Sequence, residues 1–337
     1  MTCVIFMNNH NNPGLDISQL KNKKVLVTGA TGFIGSHLVE RLVSFQANVV
    51  AIGPGVGWRQ NVKPLIERRE VQFVRLASFW NPRSVDRIKA SLQGIEYVIH
   101  LAYVMPKGKN LIEIAARDFH QNVLGSLFFL SALPDSVKKI IFASSCMVYG
   151  FNANTPVTER CLVNPISVYA NGKYMTENYL RLLAGERNIS TAILRLATVY
   201  GTYEIDPRAV PNFIRNVLAE KPPVIYGDGN EVRDYINVKD VIEAIILSLI
   251  KEHDLFEIYN IGSGKGITTK EVAEKIIHLS GKSFTPIFQR KIGSSQKIIC
   301  DISKARRNLG YSPSIELIDG LIEEIYYFRG KPRLWRK

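Results

Sequence analysis

The stretch VLVTGATGFIGSHL, from Val25 to Leu38, joins a short apolar run to three glycines and the beginning of a helical pattern. Gly29, Gly32 and Gly35 stand three residues apart, where a predicted strand turns into a predicted helix. There the first glycine permits a tight turn, the second lets the backbone approach a pyrophosphate, and the third lets helix and strand pack closely. The helix N-terminus presents N–H groups and a partial positive charge to the phosphates. This stretch therefore predicts a dinucleotide-binding loop.

Further apolar runs predict a series of strands separated by helices. After a first strand at Lys24–Thr28, strands are predicted at Asn48–Ile52, Val71–Leu76, Tyr97–Leu101, Lys139–Ser144 and Ser190–Leu196. Helical patterns cover Gly35–Ser44, Leu111–Leu133 and Ser167–Glu186. Strands that alternate with helices at this spacing predict a parallel sheet covered on both faces.

The pattern changes after Gly201, where prolines and glycines break the alternation. A helix is predicted at Val238–Ile250, and a strand at Phe256–Ile261 that returns to the first sheet. We therefore predict an α/β fold: a Rossmann-like, doubly wound parallel sheet with a smaller, partly interleaved C-terminal α/β substrate domain. The predicted parts are a tail over 1–20, a dinucleotide-binding domain over 21–200 to which 234–262 returns, and a substrate domain over 201–337.

The composition is ordinary for a globular enzyme, with 46% hydrophobic and 22% charged residues in a chain of 337. No apolar stretch approaches the roughly 20 residues of a membrane span, and the N-terminus lacks the pattern of a signal peptide. Four cysteines without a CxxC pair are typical of reduced thiols in a cytoplasm. Six histidines without HxxxH or HExxH spacing predict no metal site.

The formal net charge of +13 favours anionic partners in general. Nucleic acid is one candidate, and a dinucleotide together with a sugar diphosphate is another, because both carry phosphates. A solvated basic surface without a specific partner explains the charge equally well.

A second motif, YANGK, opens the predicted helix that begins at Ser167. Its i, i+4 spacing puts Tyr169 and Lys173 on one face of that helix. The segment IIFASSCMVYG precedes it and predicts a strand that ends in Ser144 and Ser145. Because an α/β sheet presents side chains to its ligand at the carboxyl ends of the strands, these groups are expected to meet in one crevice.

These motifs, together with LRLATVYG from Leu194 and GDGNEVRDYINVKD from Gly227, resemble the extended short-chain dehydrogenase/reductases. Within that group the chain is similar to the nucleotide-sugar epimerase/dehydratase family, in order and spacing from about Lys24 to Tyr327. The resemblance implies NAD or NADP as the cofactor and a nucleotide-diphosphate sugar as the substrate. It makes nucleic acid an improbable partner.

The resemblance also implies the catalytic roles. Tyr169 would be the general acid/base that takes a proton from a sugar hydroxyl as hydride leaves for the nicotinamide. Lys173 would hold the nicotinamide ribose and lower the pKa of Tyr169, which is needed because an unperturbed tyrosine is a poor base at neutral pH. Ser145 would hydrogen-bond the reacting oxygen.

Further residues are assigned by the same resemblance. The predicted cofactor contacts are Gly29, Thr31, Gly32, Phe33, Ile34, Gly35, Arg59, Leu101, Ala102, Asn122, Tyr169 and Lys173. The predicted substrate contacts are Ser145, Thr198, Asn212 (placed before the helix that carries Phe213), Tyr226 and Arg233. Arg233 would grip the diphosphate, which suits a bidentate guanidinium. For Asn212 and Tyr226 a purely structural role is an equal alternative.

Two positions depart from the expected pattern near the cofactor. Gly53 ends the second strand, where a carboxylate that binds the ribose is expected. Its absence removes a barrier to the 2′-phosphate of NADP, and Arg59 is a candidate partner for that phosphate. A solvated Arg59 with NAD held by backbone groups is the alternative, so both cofactors stay open. Gly172, before Lys173, stands where the family usually has serine.

The reaction is narrowed by Cys146 and Met147, which stand where related dehydratases and decarboxylases carry an acid. The chain is therefore expected to be a 4-epimerase that oxidises C4 transiently. Cys146 is interpreted as a small apolar residue of the pocket. An NADPH-dependent 4-keto nucleotide-sugar reductase is the first alternative.

A non-catalytic relative that binds NAD(P) or RNA is the second alternative, although such relatives commonly lose one of Ser145, Tyr169 and Lys173. The resemblance also implies a homodimer formed through the helices near Leu111–Leu133 and Ser167–Glu186.

Overall fold

The computed structural model describes residues 17–55, 62–76, 81–150, 155–290 and 297–335. In chain order the strands are β1 (Lys24–Thr28), β2 (Asn48–Gly53), β3 (Val71–Arg75), β4 (Tyr97–His100), β5 (Lys139–Ser145), β6 (Ser190–Leu196), β7 (Thr198–Tyr200), β8 (Val224–Tyr226), β9 (Val232–Asn237), β10 (Phe256–Ile261), β11 (Gly266–Thr268), β12 (Ile287–Gln289) and β13 (Lys297–Ile298). The α-helices are α1 (Phe33–Ser44), α2 (Lys63–Glu67), α3 (Pro82–Asp86), α4 (Lys89–Leu92), α5 (Leu111–Asp118), α6 (Gly125–Ser131), α7 (Val168–Arg187), α8 (Ala209–Leu218), α9 (Val238–Ile250), α10 (Thr269–Leu279), α11 (Ser303–Leu309) and α12 (Leu317–Arg329).

The central sheet has seven strands, all parallel, in the order β10-β6-β5-β4-β1-β2-β3. This is the doubly wound order of a Rossmann-like fold, extended by β10 at one edge. The strand order reverses between β1 and β4, so the carboxyl ends of these two strands flank a crevice. The predicted fold class is confirmed, and the predicted strands agree with the observed ones to within a residue.

Helices cover both faces of this sheet because its strands are apolar on both sides. On one face α1 and α9 pack together, with Val39, Leu42 and Ile245 in the buried core. On the other face α6 and α7 contribute Phe129 and Leu180 to a second buried cluster. Helix α9 is buried along nearly its whole length, as expected for a helix that is apolar all round.

The long helix predicted at Leu111–Leu133 is not continuous. Helix α5 ends at Asp118, a π-helical turn covers Phe119–Leu124, and α6 follows from Gly125 to Ser131. A π turn inserts an extra residue into the helix and is frequent at functional sites.

A second layer of structure covers the carboxyl edge of the large sheet. There β9 pairs with β7, β11 and β13, while β8 pairs with β12. Helices α8, α10 and α12 pack around a third apolar cluster that includes Phe213, Ile276 and Ile325. Among the described residues, no helix has both the length and the apolar character to cross a bilayer.

Candidate active site

The glycine loop between β1 and α1 closes against the chain that follows β4. Gly29 has a φ of +68°, and a Cβ there would lie 2.9 Å from the Ala102 nitrogen. A Cβ on Gly35 would lie 2.2 Å from the Gly29 carbonyl oxygen. Both glycines are therefore required by close backbone contacts, and no side chain caps the start of α1 after Gly32. This cradle suits a pyrophosphate at the helix N-terminus.

One cavity of about 230 Å³ extends from this loop toward the ends of β2 and β3. Thr31, Gly53, Ala102 and Asn122 line it. A Cβ on Gly53 would lie 2.6 Å from the Thr31 Oγ1, so the threonine occupies the space of the carboxylate that was expected at Gly53. The place suits an adenosine ribose held without an acidic side chain.

An arginine on the neighbouring strand lies opposite Gly53, near this end of the cavity. Arg59, the predicted partner of a 2′-phosphate, lies outside the described residues. Arg75 at the end of β3 was not predicted, and its Nε donates to the carbonyl oxygen of Pro54, 3.2 Å away, beside Gly53. Gly53 and Arg75 lie opposite each other on neighbouring strands. The sequence does not show this pairing, so Arg75 could not be identified from it.

Asn122 lies in the π turn and pins the segment after β4. Its Oδ1 accepts from the Val104 N–H and its Nδ2 donates to the Val104 carbonyl oxygen, both over 2.8 Å. The Nδ2 also donates to Asp118 over 2.9 Å. Asn122 therefore shapes the cavity wall by holding backbone, at the position where a cofactor contact was predicted.

The main cavity, of about 370 Å³, contains the predicted catalytic residues. It is lined by Gly29, Gly32, Phe33, Ile34, Gly35, Leu101, Ser145, Tyr169, Lys173 and Thr198. Ser145 ends β5, and Tyr169 and Lys173 lie in the first two turns of α7, whose N-cap is Ser167. Parallel-sheet topology thus brings together two motifs that are apart in sequence.

Burial has the largest effect on the pKa values of the predicted catalytic pair, Tyr169 and Lys173. Burial raises the pKa of Tyr169, while its hydrogen bond with Ser145 and the charge of Arg208 act in the opposite direction. Burial lowers the pKa of Lys173 to about 7, against the raising effect of Asp118 and Glu177. The Nζ of Lys173 donates to the Ala143 carbonyl oxygen over 2.7 Å. Its predicted effect on the pKa of Tyr169 stays a prediction.

A buried ion pair joins α7 to β6 near this edge of the sheet. Arg195 and Glu177 are each about 3% exposed and are joined over 2.7 Å, and Ser144 donates to the same carboxylate. The guanidinium also lies over the ring of Tyr149, whose hydroxyl donates to Asn260 over 2.7 Å. Sequence reasoning missed this network because its members belong to five separate strands and helices.

The positions after Ser145 carry sulfur rather than carboxylate. Cys146 is buried and lines the cavity beside a hydrogen-bonded Cys300 thiol, and Met147 lines it as well. An acid does line the cavity, but it is Asp206, which lies with Arg208 on the segment between β7 and α8. Neither of these charged residues was predicted, because that segment has no recognisable local pattern.

The predicted substrate-binding residues do not all line the main cavity. Of these residues, Ser145 and Thr198 line the main cavity. Arg233 donates to the Met147 sulfur over 3.1 Å and is paired with Glu231, which places it at the cavity rim. Tyr226 ends β8 and is 63% exposed.

Asn212 was wrongly placed before a helix. It lies inside α8, which begins at Ala209, and its Oδ1 accepts from Arg215 over 3.0 Å. Pro211 occupies the first turn, where proline is tolerated because that turn needs no intrahelical N–H partner. Pro211 therefore does not interrupt the helix, and Asn212 belongs to it.

Potential metal ligands are not grouped in the described part of the chain. No three His, Cys, Asp or Glu side chains there lie close enough together to hold an ion.

Comparison with known proteins identifies the same family that the sequence motifs resemble. Residues 25–262 match the NAD dependent epimerase/dehydratase family. The UDP-glucose 4-epimerase of Thermotoga maritima, solved with UDP-glucose, superposes with a TM-score of 0.82 at 34% identity, covering 92% of this chain and 99% of that one. The UDP-glucuronic acid 4-epimerase of Bacillus cereus, solved with UDP-glucuronic acid and NAD, gives a TM-score of 0.81 at 31% identity, with 91% and 99% covered. A dTDP-4-dehydro-6-deoxyglucose reductase of Escherichia coli is 34% identical, with 91% of this chain and 98% of the reductase covered.

Proposed function

This chain belongs to the NAD dependent epimerase/dehydratase family, and from that premise we propose that it is an NAD(P)-dependent nucleotide-sugar 4-epimerase. The observation that carries the proposal is the convergence of Ser145, Tyr169 and Lys173 on one cavity with the glycine loop. The two solved 4-epimerases described above support it, because their names pair this fold with UDP-sugars.

Tyr169 and Ser145 would act together on the sugar oxygen. The Ser145 hydroxyl, already hydrogen-bonded to Tyr169, orients the C4 oxygen, and the Tyr169 Oη receives its proton and later returns it. The charge of Arg208 favours the phenolate that this step needs. The turnover of the ketone between the two half-reactions requires space, which the main cavity of about 370 Å³ supplies.

The residues present fit a bound NAD or NADP. Gly29, Gly32 and the start of α1 would hold the pyrophosphate, and Lys173 would hold the ribose nearest the sugar. When bound, the nicotinamide supplies the hydride acceptor and donor. Thr31 and Gly53 would face the adenosine ribose, where no acidic side chain repels a 2′-phosphate.

The substrate would be a nucleotide-diphosphate sugar that enters between the two layers of the fold. Thr198 lines the sugar end, and Arg233 at the rim would pair with the diphosphate once it leaves Glu231. Tyr226, exposed at the end of β8, offers an aromatic surface for the nucleotide base. Cys146 and Met147 supply no carboxylate beside Ser145, which disfavours dehydration and decarboxylation.

The test combines cofactor identification with isotope tracing. Mass spectrometry of the cofactor released from the purified protein should find NAD or NADP. A UDP-hexose that carries deuterium at C4, with UDP-glucose and UDP-glucuronic acid as the first two tried, should yield its 4-epimer with the deuterium retained. Turnover with loss of that deuterium to water, or no turnover by a protein that carries its cofactor, would exclude this mechanism.

An NADPH-dependent 4-keto-sugar reductase is the second candidate. Gly53 and the nearby Arg75 favour the binding of a 2′-phosphate. The Escherichia coli relative described above is a dTDP-4-dehydro-6-deoxyglucose reductase. In this case the purified protein would contain no bound cofactor, and it would oxidise added NADPH only when a 4-keto nucleotide sugar is present. The third candidate, a non-catalytic NAD(P)- or RNA-binding relative, predicts binding without either reaction.

We propose a homodimer formed through α5 and α7. These helices contact each other, and each exposes large apolar side chains: Leu111 (70%) and Ile112 (81%) on α5, and Leu182 (63%) on α7. Leu182→Glu should halve the molecular mass measured by light scattering, whereas Leu255→Glu, at another exposed leucine, should leave it unchanged. A wild-type mass of one chain would contradict the dimer.

We also propose a reducing compartment such as the cytoplasm. Cys146 and Cys300 are buried neighbours that remain free thiols, and Cys161 is free as well. Fractionation of cells that express a tagged chain tests this location.

A further inference from the structure

We propose that Asp118 is a positioning residue of this active site, whose carboxylate holds Tyr103 against both catalytic side chains and provides the negative charge opposite the ammonium of Lys173. This inference rests on the proposed function, because it assigns a role in the reaction of Tyr169 and Lys173. Asp118 was singled out neither by a sequence motif nor by any predicted contact.

The surroundings of Asp118 are those of a buried, hydrogen-bonded carboxylate. It is the last residue of α5, just before the π turn, and it is 3% exposed. The hydroxyl of Tyr103 and the Nδ2 of Asn122 both donate to its Oδ1. Burial raises the pKa of Asp118, while these two hydrogen bonds and the charge of Lys173 act in the opposite direction and favour the ionised carboxylate.

Tyr103 connects Asp118 to Tyr169 and Lys173 through contacts of its ring. Its ring centroid lies 5.0 Å from that of Tyr169, in an edge-on arrangement with an interplanar angle of 80°. The Nζ of Lys173 lies 4.5 Å from the centroid of the same ring, within the range of a cation–π contact. Tyr103 also lines both cavities, so its orientation affects the shape of each.

Gly172 is explained by the same carboxylate. A Cβ at this position would lie 2.2 Å from the Oδ2 of Asp118, so the carboxylate occupies the space that a side chain would need. The glycine in YANGK, where the family resemblance predicts serine, is therefore the counterpart of Asp118 on the neighbouring helix. The two residues form one unit across the contact between α5 and α7.

The charge on Lys173 depends on the groups that face it. Asp118 and Glu177 both favour its protonation, whereas burial opposes it, and the rings of Tyr103 and Phe142 lie against its ammonium. His100 is buried nearby, and Lys173 helps to lower its pKa, so that side chain stays neutral. Glu177 is committed to Arg195. Asp118 is hydrogen-bonded to Tyr103 and Asn122 instead. Its negative charge is therefore the one that balances the positive charge of Lys173 without being paired to an arginine.

Asp118→Asn tests the role because it keeps the shape and removes the charge. Without that charge Lys173 should lose its proton at lower pH, since an opposite charge nearby shifts a pKa by about 1 to 3 units. The alkaline limb of kcat against pH should move down by about one unit, which is a loss of about tenfold on that limb. Asp135→Asn, at an exposed aspartate paired with Arg187, is the matched control and should keep the wild-type profile.

A second measurement needs no substrate. Competitive labelling with acetic anhydride, followed by mass spectrometry of the peptide that contains Lys173, gives the titration of that amine. Its midpoint should lie near pH 7 in the wild type and lower in Asp118→Asn. Gly172→Ala gives an independent route, because its methyl group displaces the same carboxylate without a change of charge and should lower the midpoint as well.

The outcomes separate this inference from the proposed function. Midpoints and alkaline limbs equal to those of the wild type in the folded variants would overturn the role of Asp118. If Asp118→Asn does not fold, Gly172→Ala decides. A shifted labelling midpoint in a protein that epimerises no nucleotide sugar would instead refute the proposed function and leave the Asp118–Lys173 coupling standing.

Discussion

The carboxyl edge of the large sheet and the layer that covers it hold their functional groups in different ways. At the sheet edge, Lys173 donates to the backbone oxygen of Ala143, and Asn122 is bonded twice to the backbone of Val104. In the covering layer, Arg233 is paired with the side chain of Glu231.

Backbone partners are fixed by the fold, whereas side-chain partners are exchangeable. Under the proposed function, the reacting groups are therefore organised before substrate arrives, whereas Arg233 would take up the diphosphate only on binding. Pre-organisation of the reacting groups is what catalysis needs, and exchangeable ion pairs at the rim suit capture and release.

The largest effect is expected at the sheet edge from Tyr169→Phe. Loss of the hydroxyl removes the proposed acid/base, which should lower kcat by about 10³-fold. Cofactor content and melting temperature should stay near those of the wild type, because the ring and its contact with Tyr103 remain. Turnover within tenfold of the wild type would show that the edge is not the reacting centre. Steady-state kinetics of the assay described above measure it.

A smaller but still severe effect is expected from Gly35→Ala. Its methyl group would meet the Gly29 carbonyl oxygen at 2.2 Å, so the phosphate loop must move and cofactor affinity should fall by about 100-fold. Gly185→Ala, in α7 with no atom within 4 Å of the added carbon, is the control and should be neutral or slightly stabilising. Equal cofactor titration curves for the two variants would contradict the assigned loop.

The smallest effect is expected in the covering layer, from Arg233→Met. A charge-assisted contact with the diphosphate contributes about 1.5 to 3 kcal/mol, so KM should rise by about 10- to 100-fold with kcat little changed. Glu231→Gln sharpens the comparison, because it removes the competing carboxylate and should lower KM. A kcat effect as large as that of Tyr169→Phe would mean that the two regions are equally part of the chemistry.

Local patterns were sufficient for the parts of the fold that a short segment decides. The strands of the large sheet are buried apolar runs, so their positions agree with the sequence. The helix over Leu111–Leu133 was predicted unbroken, because its pattern shows neither the π turn nor the hydrogen bonds that Asn122 in that turn makes to Val104, outside the helix. Asn212 was misplaced because prolines break the pattern after Gly201, whereas α8 accommodates Pro211 in its first turn.

By itself the sequence predicted where the glycine loop and the trio of Ser145, Tyr169 and Lys173 lie, because each belongs to a motif at the end of a predicted strand or the start of a predicted helix. Only the tertiary structure decided what surrounds them. Asp118 against Gly172, Tyr103 against both catalytic residues and Arg208 beside the cavity are contacts between separate elements. Such contacts depend on how helices and loops pack, and no spacing along the chain records those distances.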